Sequence, residues 1–439
     1  MRWAAPALLA ALLFGGAANM LPAQAPAAAQ AASAPTLTLD QALRQASLYS
    51  PQFQQAVAAA GIAQAARAQS RDALLPTVNY TTQYLYTQGN DTPSGRFIAN
   101  NAVHEYVSEG NVHEDLYSPT LLGQYHRARA GQLLADAQLR IATRGLRVTV
   151  VQGYYGLLAA QHHVATATSS LNEAESFLKI SQELEKGGEV AHSDVLKSEL
   201  QVDQRQRELS NAQLQAEQAR LSLGVLLFPK PEQAFQLKDD LAQLPNLPPL
   251  PQIKAMAGVR NPLLQAAQAS LQQAHADVGI ARGGYLPTLA LDYWYGIDAT
   301  HFALRDRGVP NLGYSAEATL LIPIWNWGAT RSRVHQAQLQ QHQAQVQLDF
   351  TQRQLTANLD SFYAEADTAR RQLTTLRHSL DLAQESLRLS VLRYRNGETN
   401  VLEVVSAQDT LAVARNAWTD GEVRYRVAVA NLQTLTGAF

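Results

Sequence analysis

The sequence predicts a mainly α-helical fold with a small β part, in which long coiled-coil helices join short strands. Three observations support this prediction: an internal repeat, segments that alternate apolar and polar residues, and proline-free helical segments far longer than an average helix. The 439 residues carry a net charge of −2 and include no cysteine. The near-neutral charge gives no indication of a nucleic-acid partner, and the absence of thiols excludes a disulfide scaffold or a thiolate metal site.

The first residues have the pattern of a secretory signal peptide. Met1-Arg2 supplies the positive start, residues 8–18 form a short apolar core, and residues 27–29 offer small side chains for cleavage. A membrane-anchoring helix is the alternative, but the apolar run is short and is broken by proline and glycine. We therefore expect residues 1–29 to be a signal peptide.

A gapless internal repeat relates residues 50–77 to residues 261–288. The first copy begins with Ser-Pro and the second with Asn-Pro, and an N-cap residue followed by proline is a helix-start pattern. Both copies end in Leu-Pro-Thr, where the proline stops the helix. We therefore predict two structural repeats, 30–227 and 261–439, each with a helix, two strands, a long helix and a return helix.

Residues 228–260 separate the two repeats and differ from both in composition. Prolines are concentrated between Phe228 and Pro251. Such a stretch is typical of a semi-rigid spacer, because proline interrupts regular structure and holds the chain extended. We expect a proline-rich tether, or equatorial segment, rather than a further folded domain.

Alternation with a period of two follows the Leu-Pro-Thr end of each repeat helix. Apolar or aromatic residues dominate every second position from Val78, and the same pattern starts at Leu289. Two weaker alternating stretches cover 314–325 and 112–118. Polar loops are expected between the strands of each pair, at 89–110 and 298–313. The sequence thus predicts four strands per chain.

Two very long helices are predicted at 123–186 and 328–396, and each turns at a glycine-containing tip into a return helix. In the second one, apolar and small residues recur at alternating spacings of four and three from Leu355 to Leu387. This spacing is the seam of a coiled coil, and the length argues against an ordinary bundle helix. At about 1.5 Å per residue, each long helix is nearly as long as the two shorter helices of its repeat laid end to end.

The strand length and strand number together predict an assembly. A tilted strand of about ten residues crosses an outer-membrane hydrocarbon band of roughly 25 Å. Four strands cannot close, and lipid tolerates no open sheet edge. Two chains would give eight strands and a filled barrel, whereas three chains give twelve strands and room for an aqueous bore. Geometry therefore favours a trimeric α-barrel of long helices, capped by a transmembrane β-barrel with four strands from each chain.

Several motifs, in order and duplicated, resemble those of one known family. They are the two Leu-Pro-Thr segments with strands behind them, the strand-to-helix junction 320–328, and the tip sequence 394–405. On these motifs the chain resembles the TolC-like outer-membrane efflux proteins over most of its length, about residues 36–436. The resemblance implies a homotrimer in the cell outer membrane, in contact with its lipid and extending into the periplasm.

The resemblance also implies a function. Proteins of this family are passive outer-membrane channels of tripartite efflux or type I secretion systems, through which small molecules or proteins are expelled. They dock with a periplasmic adaptor (membrane fusion) protein and an inner-membrane transporter. The alternative is a soluble periplasmic coiled-coil protein with a structural or adaptor role. The tyrosine-rich alternation favours the channel, because a soluble hairpin has no need of one outward aromatic face.

Residue roles at the periplasmic end follow from the same resemblance. Glu403 would line the gate, where three symmetry-related copies would form an acidic ring that holds cations; a solvated surface glutamate is the alternative. Tyr394 would be a latch or a seam residue, and Thr399 and Ser406 stand where some members carry charged residues. The expected adaptor-contact tips are Gly188, Glu189, Val190, Gly397 and Glu398, whose glycines would also cap helices.

Aromatic residues are concentrated around the predicted strands. A membrane-interface belt is expected, with ordinary strand packing as the alternative. The belt residues are Tyr80, Tyr84, Tyr86, Tyr293, Tyr295 and Trp325.

No cofactor and no metal are expected. His162 and His163 are adjacent, so they point apart on a helix, and no carboxylate follows at ligand spacing. The sequence has no zinc-protease, P-loop or dinucleotide-binding motif. We therefore expect a protein that is not an enzyme and that takes its energy from a partner.

Overall fold

A computed structural model describes residues 35–87 and 103–437. The predicted signal peptide, residues 1–29, lies outside the described residues. The elements of the first half are β1 (Thr36–Leu37), α1 (Leu39–Tyr49), α2 (Pro51–Asp72), β2 (Thr77–Tyr86), β3 (His104–Tyr117), α3 (Pro119–Lys186) and α4 (His192–Leu227). Those of the linker and second half are β4 (Gln236–Leu237), α5 (Leu250–Arg260), α6 (Pro262–Gly283), β5 (Thr288–Ala299), β6 (Arg305–Asp306), β7 (Val309–Pro310), β8 (Leu312–Leu321), α7 (Ala329–Arg395) and α8 (Val401–Thr436).

The repeat helices α2 and α6 begin as the sequence predicts. The Ser50 hydroxyl accepts a hydrogen bond from the amide of Phe53 at 3.4 Å, and proline occupies the first position of α2. The Asn261 side chain accepts from the amides of Leu263 and Leu264 at 2.9 and 3.1 Å. These caps satisfy helix amides that would otherwise have no partner.

The four predicted strands form one antiparallel sheet in the order β2-β3-β5-β8. In the described part of the chain, neither β2 nor β8 has a second neighbour, so both edges of the sheet are open. The register aligns Tyr80, Gly110, Tyr295 and Tyr314 in one row, and these residues share a face. The sheet therefore has an aromatic and apolar face and a polar face.

Two strands differ in extent from the prediction. β3 begins at His104, inside the segment predicted as the loop 89–110, and its 14 residues far exceed the predicted 112–118. Its alternation is weak because polar residues such as Glu105 and Ser108 lie on both faces. β8 ends at Leu321 rather than residue 325, because Pro323 has no amide hydrogen for a sheet ladder.

The long helices α3 and α7 contain 68 and 67 residues, which corresponds to about 100 Å each. Helix α3 packs against α2, α4, α6 and α8, and α7 packs against α6 and α8. The predicted coiled-coil seam of α7 is confirmed. Its buried members are Leu355, Leu359, Ala366, Ala369, Leu373, Leu380 and Ala383. Among the helices described here, none is long and apolar enough to cross a bilayer.

The linker is more structured than the predicted tether across 228–260. Strand β4 pairs in parallel with β1, and α5 occupies the last part of the linker. Phe228 and Phe235 are buried in the core between α3 and α4, with ring centroids 5.5 Å apart. The linker is therefore packed onto the helices rather than hanging free between them.

Buried polar contacts hold the linker to α3 and α8. The Tyr154 hydroxyl donates to the carbonyl of Lys238 at 2.7 Å, and the Tyr425 hydroxyl donates to that of Pro245 at 2.7 Å. Arg426 donates to the Tyr155 hydroxyl at 2.6 Å and to two linker carbonyls. Burial raises the pKa of Tyr154 to about 12, so its hydroxyl remains a donor at any physiological pH.

Candidate functional site

The ends of the long helices farthest from the sheet form two matching turns, 187–191 and 396–400, which we call the tips. Gly188 has φ 76° and Gly397 has φ 71°, a left-handed conformation that glycine adopts without strain. In each tip the next residue, Glu189 or Glu398, donates its amide to the carbonyl five residues earlier at 2.9 Å. This bond satisfies a free carbonyl at the helix end, so the predicted capping role of both glycines holds.

The two tips pack on each other through a small apolar cluster. Phe177, Tyr394, Val401 and Val404 are buried in it, and Val190 packs at its edge. The Phe177 and Tyr394 ring centroids are 4.9 Å apart. The cluster brings the end of α7 and the start of α8 against the end of α3, so both repeats meet at this level.

A buried chain of hydroxyl groups runs through this cluster. The Tyr394 hydroxyl donates to the Ser181 hydroxyl at 3.3 Å, and the Ser181 and Ser198 hydroxyls are 3.1 Å apart. Ser198 donates to the carbonyl of Asp194 at 2.9 Å. Burial raises the pKa of Tyr394, so its phenol stays protonated and able to donate. The chain ties α7 to α3 and α3 to α4.

Glu403 lies in the first turn of α8 and is already paired within its own chain. Arg393 donates to its carboxylate at 2.6 Å, Thr399 donates through its hydroxyl, and Ser390 does so at 3.4 Å. The Glu403 amide donates to the side chain of Asn400 at 3.2 Å. The carboxylate is about two-fifths exposed, so it faces solvent while it holds the end of α7 to the start of α8.

The other predicted tip residues are exposed and make few contacts. Ser406 is exposed on α8, and its carbonyl accepts from the Thr410 hydroxyl at 2.8 Å. Glu189 and Glu398 are exposed at the turns, and Glu398 lies 4.0 Å from Arg393. The structure thus brings Tyr394, Thr399 and Glu403 into one neighbourhood and leaves Ser406 outside it.

Sequence reasoning missed three residues of this site. Arg393 could have been found, because a basic residue in the last turn of α7 faces an acid in the first turn of α8 across a short tip. Ser181 and Ser198 carry no sequence signal, since serine is common on helix surfaces. The equivalent of Glu403 in the first repeat, Asp194, pairs with Lys197 at 3.2 Å instead of crossing its tip.

At the other end of the molecule, the predicted belt residues are all exposed side chains of the sheet or its junction. Tyr80, Tyr84, Tyr293 and Tyr295 share the apolar face with Val78 and Tyr314. Two of the rings are oriented by hydrogen bonds, Tyr80 to Ser108 at 2.6 Å and Tyr84 to His104 at 2.8 Å.

The opposite face of the sheet is polar and acidic. Six carboxylates point to it, and no lysine or arginine lies in the four strands. The six are Glu105, Glu109, Asp115, Asp292, Asp298 and Glu317. His113 lies among them, 2.9 Å from Asp292. One face thus suits hydrocarbon and the other suits water.

Within the part of the chain that the structure describes, no group of three or more histidine and acidic side chains could hold a metal ion. His162 pairs with Asp239 of the linker at 2.7 Å, and His163 pairs with Asp420 of α8 at 3.1 Å. These histidines therefore connect α3 to the linker and to α8.

Proteins similar to this chain in sequence or in structure include two from Pseudomonas aeruginosa and a channel from Campylobacter jejuni. The chain is 24% identical to the alkaline protease secretion protein AprF of Pseudomonas aeruginosa over 65% of its own length and 61% of that protein. It is 27% identical to the outer membrane protein OprJ of the same organism, over 68% and 63%. The chain thus spans less than two thirds of either relative. The structure resembles the CmeC outer membrane channel of Campylobacter jejuni with a TM-score of 0.77 at 17% identity, covering 91% of this chain and 85% of that one.

The structural likeness confirms the predicted fold class: long helices joined to a small sheet, laid out as in that channel protein. The family model for outer membrane efflux protein matches residues 42–227 and 255–438, which are the two predicted repeats with the end of the linker. This match confirms the predicted resemblance and outer-membrane location, and it favours the channel over a soluble adaptor. The chain belongs to the outer membrane efflux protein family.

Proposed function

We propose that this protein is the outer-membrane channel of a tripartite efflux or type I secretion system, a passive duct for small molecules or proteins. The observation that carries the proposal is the sheet, which has one apolar and one acidic face, two open edges, and a direct connection to helices of about 100 Å. A duct through a membrane and the space beneath it needs these parts in this order.

The open edges support a trimer. An unpaired sheet edge in hydrocarbon leaves backbone groups without hydrogen bonds, at a cost of several kcal/mol for each group. Pairing β8 of one chain with β2 of the next removes both edges. Three chains then close a twelve-stranded barrel with its tyrosines outward and its carboxylates inward.

The tips support a gate and a docking surface. Tyr394 holds α7 against α3 through Ser181, and Glu403 holds the start of α8 to the end of α7 through Arg393. Opening would require these contacts to break, so Tyr394, Glu403 and Thr399 would act as the latch, with Ser406 one turn away on α8. The exposed turns at Gly188-Glu189 and Gly397-Glu398, with Val190 beneath the first, are the surfaces we assign to a periplasmic adaptor. An inner-membrane transporter would supply the energy, since the sequence has no nucleotide-binding motif.

Cross-linking of the sheet edges tests the trimer directly, because the sequence contains no cysteine. Thr81 on β2 and Ser315, Glu317 and Thr319 on β8 all lie on the polar face. We expect Thr81→Cys combined with one of Ser315→Cys, Glu317→Cys or Thr319→Cys to give disulfide-linked trimers on a non-reducing gel, with the productive partner reporting the register.

The variant with Thr81→Cys alone is the control and should remain uncross-linked. The same purified protein, in planar bilayers, should insert and give discrete conductance steps. Protein that sediments as a monomer, gives no intermolecular disulfide with any of the three partners and never conducts would rule out the proposed channel.

A further inference from the structure

An open groove of about 570 Å³ lies between α3 and α6, in the part of the helical wall next to the sheet. Its floor consists of small residues, Gly123 and Ala130 on α3 and Ala276 and Gly279 on α6. A Cβ added at Gly279 would have no atom within 4 Å, so this part of the groove is open space. The groove therefore exists because side chains are missing from both helices at the same level.

The rim of the groove is basic and rich in hydrogen-bonding groups. His126 and Arg129 line it from α3, and Gln272 and His275 line it from α6. All four residues are exposed, and within the described residues the structure shows no ion pair for Arg129. A guanidinium group with no acid beside it, close to imidazole and amide groups, is the set of donors that binds a phosphate.

The groove is remote from the edges at which the proposed trimer joins its chains. Helix α2 packs on α3, α3 packs on α6, and α6 packs on α7. This order is the same as that of the strands β2, β3, β5 and β8, to which these helices connect. A neighbouring chain would meet α2 with β2 on one side and α7 with β8 on the other. The groove between the two inner helices therefore opens toward the bore or toward the outside, and not toward a neighbour.

The phase of α3 places the groove on the outside of the wall. His126, Arg144 and His162 are separated by 18 residues each, which is five full turns, so they lie on one side of the helix. Arg144 donates to a linker carbonyl at 2.9 Å, and His162 pairs with a linker carboxylate at 2.7 Å. Three linkers packed inside the proposed duct would obstruct its bore. The side that carries the linker, and with it the groove, therefore faces outward.

The groove also lies at the depth of phospholipid headgroups. The strands have 10–14 residues and fill the hydrocarbon band, so the sheet ends of the helices lie at its lower boundary, above an interfacial layer of roughly 5–8 Å. His126 and His275 are about 10–12 Å below these helix ends. Side chains on α3 tilt toward its N-terminus, which is the sheet end, so the Arg129 guanidinium extends up toward this layer.

We propose that the groove between α3 and α6 binds the headgroup of an anionic phospholipid from the periplasmic leaflet of the outer membrane. The phosphate would contact Arg129 and the imidazoles of His126 and His275. The acyl chains would pass Leu122, which is 50% exposed one turn above His126, and reach the apolar face of the sheet. The inference rests on the proposed function, which sets the strands in the membrane and the helices beneath it. A zwitterionic headgroup is a poorer ligand, because its ammonium group would enter a basic groove.

Native mass spectrometry of the purified trimer tests the proposal by counting the lipids that remain bound. The trimer is titrated separately with phosphatidylglycerol and with phosphatidylcholine that carries the same acyl chains. We expect one phosphatidylglycerol per chain, bound about fivefold more tightly than phosphatidylcholine. Arg129→Gln should bring the ratio of the two affinities close to one, and Arg129→Lys should retain most of the preference.

A second variant fills the groove and leaves its basic rim in place. Gly279→Leu adds a side chain in open space, so the trimer should stay intact while the bound lipid is lost. Gly145→Leu is the control for added bulk, because Gly145 is an exposed glycine of α3 with no atom within 4 Å of an added Cβ. Arg140→Gln is the control for charge, since this exposed arginine lies on the same side of α3, about 16 Å beyond Arg129. Neither control should change the preference.

Equal affinity for the two lipids in trimers that conduct would overturn the lipid proposal and leave the channel function intact. Unchanged lipid binding in both Arg129→Gln and Gly279→Leu would place the lipid elsewhere, which also overturns it. Displacement of the bound phosphatidylglycerol by an equal concentration of inorganic phosphate would identify a site for free anions, with the same consequence. Protein that forms no trimer and never conducts would overturn the proposed function and the lipid proposal together.

Discussion

At the scale of single residues, Glu403 and Arg393 decide how acidic the proposed gate is. A ring of three unpaired glutamates would hold cations strongly, but in each chain Arg393 lies 2.6 Å from the carboxylate. Both side chains are half exposed, so solvent screens the pair and its contribution to stability is small. Its effect on the local potential is larger, because it removes most of the net charge that each chain adds to the ring.

The two residues therefore have opposite predicted effects on block by divalent cations. Glu403→Gln should weaken block and raise conductance, whereas Arg393→Gln should leave three uncompensated carboxylates and strengthen block by about threefold. Single-channel recording with Mg²⁺ on the tip side measures both. Glu385→Gln, which breaks a surface pair with Arg388 farther up α7, should change neither. A shift in the same direction for both gate variants would show that the pair acts by holding the helix ends and not by its charge.

The sequence identified part of this site. Glu403 and Tyr394 could be proposed because each belongs to a recognisable tip motif. Ser181 could not, because its contact with Tyr394 depends on the rotation of two long helices whose contacting residues are 213 positions apart. Local sequence contains the period of a helix but not the angle at which it meets a distant neighbour.

At the scale of elements, the linker shows how composition can mislead. Prolines near residue 250 suggested a semi-rigid tether, yet α5 begins there, because proline is compatible with the first turn of a helix. Ile253 and Ala257 bury one side of α5 against α7 and α8. The strong signals, such as the helix caps and the period-two segments, were local, whereas the helical state of α5 depends on burial against distant residues.

A glycine at the end of α4 permits the linker to dock. A Cβ at Gly224 would lie 2.5 Å from the backbone carbonyl oxygen of Pro231, which has no rotamer through which to move away. Gly224→Ala should therefore cost about 1–3 kcal/mol and loosen the linker. Faster cleavage by a glutamate-specific protease after the exposed Glu232 would report this loosening. Gly145→Ala is the control: with no atom within 4 Å, it should be neutral or stabilising by about 0.5–1 kcal/mol. Unchanged proteolysis of the Gly224 variant would contradict the tight docking.

At the scale of the whole molecule, duplication explains how one chain supplies both strands and long helices to a large part of the proposed tube. Each repeat supplies two strands, a long helix and two shorter helices, and the halves meet both at the tips and along the sheet. The two repeats are alike, but the distribution of charge differs between the sheet end and the tip end of the molecule. Carboxylates line the polar face of the strands, arginines follow at the helix ends, and the tips carry paired charges, so a solute moving along the proposed duct meets a different field at each level.

The acidic face of the sheet predicts that the open channel prefers cations. Six carboxylates per chain, with no lysine or arginine in the strands, would line the barrel in water, where they raise the local concentration of cations. Glu109→Gln combined with Asp298→Asn removes two neighbouring charges from this face and should move the reversal potential in a salt gradient toward zero. Glu114→Gln removes a charge from the opposite face of β3 and should leave the reversal potential unchanged. If the Glu114 variant lost selectivity and the double variant kept it, the two faces would be reversed, and the tyrosines would line the bore instead of meeting lipid.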